Sequence, residues 1–146
     1  MSLPRLIAAT LLLQAAVAAH AADLQPRAGQ YTLATQMVMP HLDEMRRVVV
    51  EARRCVADGD VAALFPVLDQ HALRGCRLDY PRHGADGDDY VLVCASARVA
   101  SGTARLEAVG DDRLVGRLEV KMGGKNMTFS QRSEARRDGP CAAASR

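Results

Sequence analysis

The sequence predicts a mainly β domain: an antiparallel meander curled into a curved sheet or incomplete barrel, with one short helical segment and two disulfides stapling it. Three observations carry this expectation. Residues 113–122 alternate, with Leu114, Gly116, Leu118, Val120 and Met122 on one face and Arg117, Glu119 and Lys121 on the other, the period of a half-buried strand. Gly110-Asp111-Asp112 and Gly123-Gly124-Lys125-Asn126 bracket that run with residues that tolerate turn backbone. Cys76 and Cys94 stand at equal distances from Ala85, with Leu78 matched to Leu92 and Tyr80 to Tyr90 about the same centre.

The chain opens with an address. Met1 to Arg5 is a short basic start, Leu6 to Ala19 an apolar run of signal-peptide length, and Ala19-His20-Ala21 sets small residues where a signal peptidase reads. Residues 1–21 are expected to be a cleaved leader, and residues 22–146 one small β-rich domain whose tail, 142–146, carries no structure. The apolar run is shorter than the ~18 or more residues that span a bilayer, so no transmembrane segment is expected in the mature chain. Export to the periplasm or the medium is the expected destination.

The first strand follows from Tyr31, Leu33, Thr35, Met37 and Met39, which alternate with more polar neighbours. Residues 42–55 read two ways. Leu42, Met45, Val49, Ala52 and Val56 recur at helical spacing, but Val48-Val49-Val50 is a β-branched run, and Met37 against Val48, Thr35 against Val50 and Leu33 against Ala52 make a sensible hairpin. The strand is the preferred reading. Asp60 then caps a helical piece from Val61 to Phe65, which Pro66 either ends or reopens through His71. Strands 76–82 and 88–94 form the hairpin about Ala85. Residues 106–109 lead through the Gly110 turn to the 113–122 strand, and closing the next turn at Met122 and Met127 sets Val120 opposite Phe129. About six strands are expected.

Export decides what the cysteines mean. An even count in an oxidising compartment reads as disulfides. The hairpin places Cys76 opposite Cys94, within bridging distance for directly opposed residues, and leaves Cys55 for Cys141. No Cys-x-x-Cys spacing exists for zinc, haem or thiol exchange.

The order of these landmarks resembles the small exported bacterial proteins known as domain of unknown function 3617. Ala28-Gly29-Gln30-Tyr31 matches that family's Pro-Gly-x-Trp opening with Ala for Pro and Tyr for Trp. Met37-Val38-Met39-Pro40, Cys55-Val56-Ala57-Asp58, the Cys76 to Cys94 hairpin and Gly139-Pro140-Cys141 follow in the family's order. The resemblance implies an envelope location, strands rather than helix after Met45, and no known activity or catalytic residues.

Composition narrows function. A net charge of +2 offers no concentrated cationic face for nucleic acid. No Gly-x-Ser-x-Gly or other nucleophile motif is present and the cysteines are committed to bridges, so no enzyme, no catalytic residue and no cofactor are expected. Met37, Met39, His41 and Met45 are the ligand types that Cu(I) prefers, but Met also fills gaps in a core with only five aromatic residues. Asp58, Asp60, Asp86, Asp88 and Asp89 lack the oxygen ladder of a calcium loop and read as turn and cap residues. His41, His71 and His83 are scattered. Arg46-Arg47, Arg53-Arg54 and Arg136-Arg137 would form a cationic strip only if neighbours shared a face, which strands forbid. The leading expectation is a non-enzymatic envelope accessory protein that binds an envelope partner through an exposed edge or apolar patch. The alternative is a carrier of a small apolar ligand inside the curl.

Overall fold

The computed structural model describes residues 24–40, 42, 44, 48–124 and 127–142. The expected leader 1–21, His41, Met45, Arg46-Arg47 and the Lys125-Asn126 part of the turn lie outside the described residues, as do residues 143–146 of the tail.

The described residues form one open antiparallel sheet of seven strands: β1 (Gly29–Val38), β2 (Val49–Val56), β3 (Arg77–Gly84), β4 (Gly87–Val93), β5 (Ala100–Ala108), β6 (Arg113–Met122) and β7 (Met127–Gly139). Their spatial order is β2-β1-β7-β6-β5-β4-β3. The last five strands are a plain meander, and the β1–β2 hairpin joins it when β1 pairs with β7. Both bridges expected from the sequence form: Cys55–Cys141 with Cα atoms 5.5 Å apart, and Cys76–Cys94 with Cα atoms 4.1 Å apart.

Residues 49–56 are strand, in the register that the valine run implied: Thr35 faces Val50 and Leu33 faces Ala52. The ladder stops at Gln36 opposite Val49, so Met37 and Val48 do not pair, and Leu42 makes only an isolated bridge to Met39. Strand β6 and the Val120–Phe129 pairing are as expected. Strand β5 starts earlier than Leu106, because Ala100, Gly102 and Ala104 pack on the sheet without advertising β propensity.

The Cys76–Cys94 hairpin departs from symmetry at one place. Leu78 faces Leu92, but the register shifts between Asp79 and Arg82, and Tyr80 takes φ +55° and turns out to solvent at 65% exposure while Tyr90 stays buried. The expected Tyr80–Tyr90 pairing is therefore absent. Pro81 has no N–H to give to a ladder, and the chain absorbs it as a bulge.

One face of the sheet is apolar and needs a cover. Since β2 and β3 lie at opposite edges, residues 57–76 have to cross the whole sheet, and they supply it. The expected helical piece is three short 3-10 turns, Ala62–Leu64, Pro66–Asp69 and His71–Leu73, since Pro66 cannot continue an α-helical ladder. Asp60 Oδ1 accepts a hydrogen bond from the Ala63 N–H at 3.1 Å, the capping role read from the sequence. Val61, Leu64, Phe65, Val67, Leu68 and Leu73 are buried under the crossing against Leu33, Leu106, Leu118 and Val120. Phe65 explains the glycine in β6: a Cβ at Gly116 would come within 2.6 Å of its ring. Burying such a side chain contributes about 1.5–3 kcal/mol. Gln131, itself buried, accepts the Val67 N–H at 3.2 Å and fixes the crossing to β7.

Candidate functional site

The residues singled out in the sequence are not brought together into one site. Met37 and Met39 are half-buried and pack against the core, the gap-filling role, while His41 and Met45 lie outside the described residues. Among the described residues no three His, Cys, Asp or Glu side chains are grouped as a metal would need. The aspartates are separated by their partners. Asp58 Oδ1 accepts the Ala28 N–H at 3.3 Å, Asp86 sits in the β3–β4 turn, and Asp89 pairs with Arg105 at 3.2 Å.

Asp88 is not a turn residue but an inward-facing position of β4, 1% exposed, and it was not legible from the sequence. Its Oδ2 accepts the Leu24 N–H at 3.0 Å and lies 3.0 Å from His83 Nδ1, which ties the segment before β1 to the sheet. His71 is exposed on the last 3-10 turn, far in sequence and separate in role from His83. The Arg pairs divide as alternation requires. Arg53 stands on the outer face, whereas Arg54 reaches under the edge to the Ala63 carbonyl and Asp69; Arg136 pairs with Asp138, whereas Arg137 donates twice to the Ala28 carbonyl.

The outer face is charged but self-neutralised. Arg132, Arg117 and Arg105 stand abreast on β7, β6 and β5, an arrangement that costs stability unless acids intervene. Each takes an acid two residues along its own strand: Glu134 at 3.0 Å, Glu119 at 3.0 Å and Glu107 at 2.8 Å. Hydrogen bonds and burial set the titration of three other groups. The Thr32 hydroxyl, then Arg136, holds the Asp138 carboxyl below its usual range, and the Tyr80 N–H, then Arg77, does so for Asp79. Burial pushes the Tyr31 phenol up, with Arg137 pulling against it.

Two hollows open on the surface. One, about 460 Å³, lies on the outer face, where Ser101, Thr103, Thr128 and Ser130 surround Glu119 and Lys121. The other, about 470 Å³, lies at the sheet end between Arg27, Tyr31, Asp111 and Arg137. Both open to solvent and mix polar with apolar groups at the wall, unlike the enclosed apolar cavities that bury small ligands.

The concentrated apolar exposure is elsewhere, on edge strand β2. Val48, Val49 and Val50 are 54%, 51% and 57% exposed, three residues in succession and hence on both faces. Val50 is inward, opposite buried Thr35, and is bare because the crossing chain meets β2 further along, at Arg54 and Val56. The sequence shows the valine run, but not that β2 would lie at an edge.

The fold defines a class of architecture: an open seven-stranded antiparallel sheet with a crossing strap on one face and a disulfide near each edge strand. No family model, no curated protein and no solved structure matches the chain. Among the described residues no helix is long and apolar enough to cross a membrane. The two disulfides are consistent with an extracytoplasmic location.

Proposed function

We propose that this is an exported, non-enzymatic envelope protein whose working surface is the β2 edge, which accepts an extended strand from a protein partner. The observation that carries the reading is the run of Val48, Val49 and Val50, more than half exposed where a regular edge strand begins. An edge strand presents unpaired N–H and C=O groups, and folds that do not use such an edge protect it. The leader-like residues 1–21, the two disulfides and the resemblance to domain of unknown function 3617 support export and an envelope location. The carrier reading needs room beneath the strap, a place that Leu64, Phe65 and Leu73 fill. The Cu(I) reading has in its favour only Met37 and Met39, both packed on the core.

Photo-crosslinking in the native envelope tests the reading. A photoreactive residue replacing Val49 on β2 is expected to capture protein, and one replacing Arg82 on β3 is not. Equal capture at both, or none at Val49, overturns it. Native mass spectrometry of the purified protein is expected to give the bare oxidised mass; a co-purifying small adduct would favour the carrier instead.

A further inference from the structure

Resting on the reading of β2 as the working edge, we propose that its partner is β2 of a second copy, the two strands running antiparallel in a register centred on Ala52.

The argument is the strand's own symmetry. Val49, Glu51, Arg53 and Cys55 share the outer face, since Val50, Ala52 and Arg54 stand opposite the inward Thr35, Leu33 and Tyr31. A two-fold axis through Ala52 sets Glu51 of each copy directly opposite Arg53 of the other, giving two cross-strand ion pairs where the outer face of a single strand has one residue of each sign. Moving the axis by one residue destroys this: centred on Glu51 it sets carboxylate against carboxylate, and centred on Arg53 it sets guanidinium against guanidinium. The Ala52 register also lays Val49 of each copy opposite the other's exposed Cys55 and Val50 opposite the aliphatic stem of its half-buried Arg54, so two bare valines gain apolar neighbours. Both strapped faces stay on the same side.

The other edge explains why association stops at two. Head-to-tail pairing of β2 with β3 would build an open filament. Strand β3 carries Pro81, a register shift and an outward Tyr80, which deny a neighbour a continuous ladder. Only the β2–β2 seam is left, and it closes on itself.

Sedimentation equilibrium of the secreted, oxidised protein is expected to give twice the chain mass. Glu51→Arg alone and Arg53→Glu alone each turn two attractions into repulsions and are expected to raise the dimer dissociation constant about tenfold or more. The combined E51R/R53E protein restores opposite charges and is expected to recover the dimer. Both positions are exposed, and circular dichroism of each variant verifies that the monomer is folded. A dimer indifferent to both single reversals, or a double variant no better than either single one, overturns the seam. A wild-type monomer at every concentration overturns self-pairing; the edge reading then survives if Val49 crosslinks to a different protein, and falls with it if Val49 captures nothing.

Discussion

Edge strand β3 carries Pro81, a left-handed Tyr80 and a shift of register between Asp79 and Arg82, whereas β2 at the opposite side runs Val49–Val56 with none of these. The charges differ in the same sense. On β3, Arg77 and Asp79 pair along the strand at 3.2 Å and His83 is drawn to Asp88, so its polar groups are spent within the molecule. On β2 the exposed residues are Val49, Val50, Glu51, Ala52, Arg53 and Cys55, with exposed Val48 just before the strand. The sheet interrupts one edge with a proline, a left-handed residue and a register shift and leaves the other regular, the contrast on which the proposed use of β2 rests. Exposure alone would not distinguish the two, because Tyr80 is the most exposed of the large hydrophobic residues and sits on the protected edge. Regularity of the backbone is what separates them.

Each edge is also anchored by a disulfide, and the anchors are unequal. Cys55–Cys141 closes a separation of 86 residues and Cys76–Cys94 one of 18. In the chain-entropy picture their removal costs about 4.5 and about 3 kcal/mol respectively. The C55S/C141S protein is therefore expected to unfold at lower urea than C76S/C94S, and both well below the parent. The reverse order would mean that the β3 anchor, not the β2 anchor, holds the sheet.

A smaller effect concerns Tyr80. A non-glycine residue at φ +55° costs on the order of 1 kcal/mol, so Tyr80→Gly is expected to raise stability by about that amount while leaving the bulge in place. Urea midpoints read the gain, and hydrogen exchange of the β3 amides reads the bulge. Loss of stability would show that the tyrosine ring packs on something that offsets its backbone strain.

The smallest effect is on pH. Asp79 beside the β3 bulge and Asp138 opposite Thr32 both have carboxyls held below the ordinary value of 3.8. A depressed folded value means that the contribution is complete above the unfolded value and is lost as pH falls through the folded one. Stability is expected to decline on acidification below about pH 4, with Asp79→Asn and Asp138→Asn each flattening the decline slightly; both groups are solvent-exposed, which keeps the effect small. A decline unchanged in both variants would assign it to other carboxylates.

Much of the local geometry was legible in the residues. The alternation of 113–122, the Leu33–Ala52 and Thr35–Val50 register, the Leu78–Leu92 pair and the Cys76–Cys94 bridge could be read because each depends on neighbours in one hairpin or on a period of two, and Cys55–Cys141 was then the pair left over. Mirror spacing about Ala85 fails for Tyr80 and Tyr90 because it takes no account of a proline's missing donor. Asp88 was grouped with the turn aspartates because nothing in Asp86-Gly87-Asp88-Asp89 marks which side chain points inward. What the chain's chemistry could not encode locally is the neighbour of each hairpin. Several strands offer a one-sided apolar face, so local pattern leaves the neighbour of β1 open. In the folded sheet that neighbour is β7, with the 57–76 strap packed across both, Phe65 seated over Gly116, Gln131 holding Val67 and the Cys55–Cys141 bridge closing the same end, and β2 and β3 are left as the two edges. Edges are a property of the whole sheet, because being last in line depends on where all the other strands have gone.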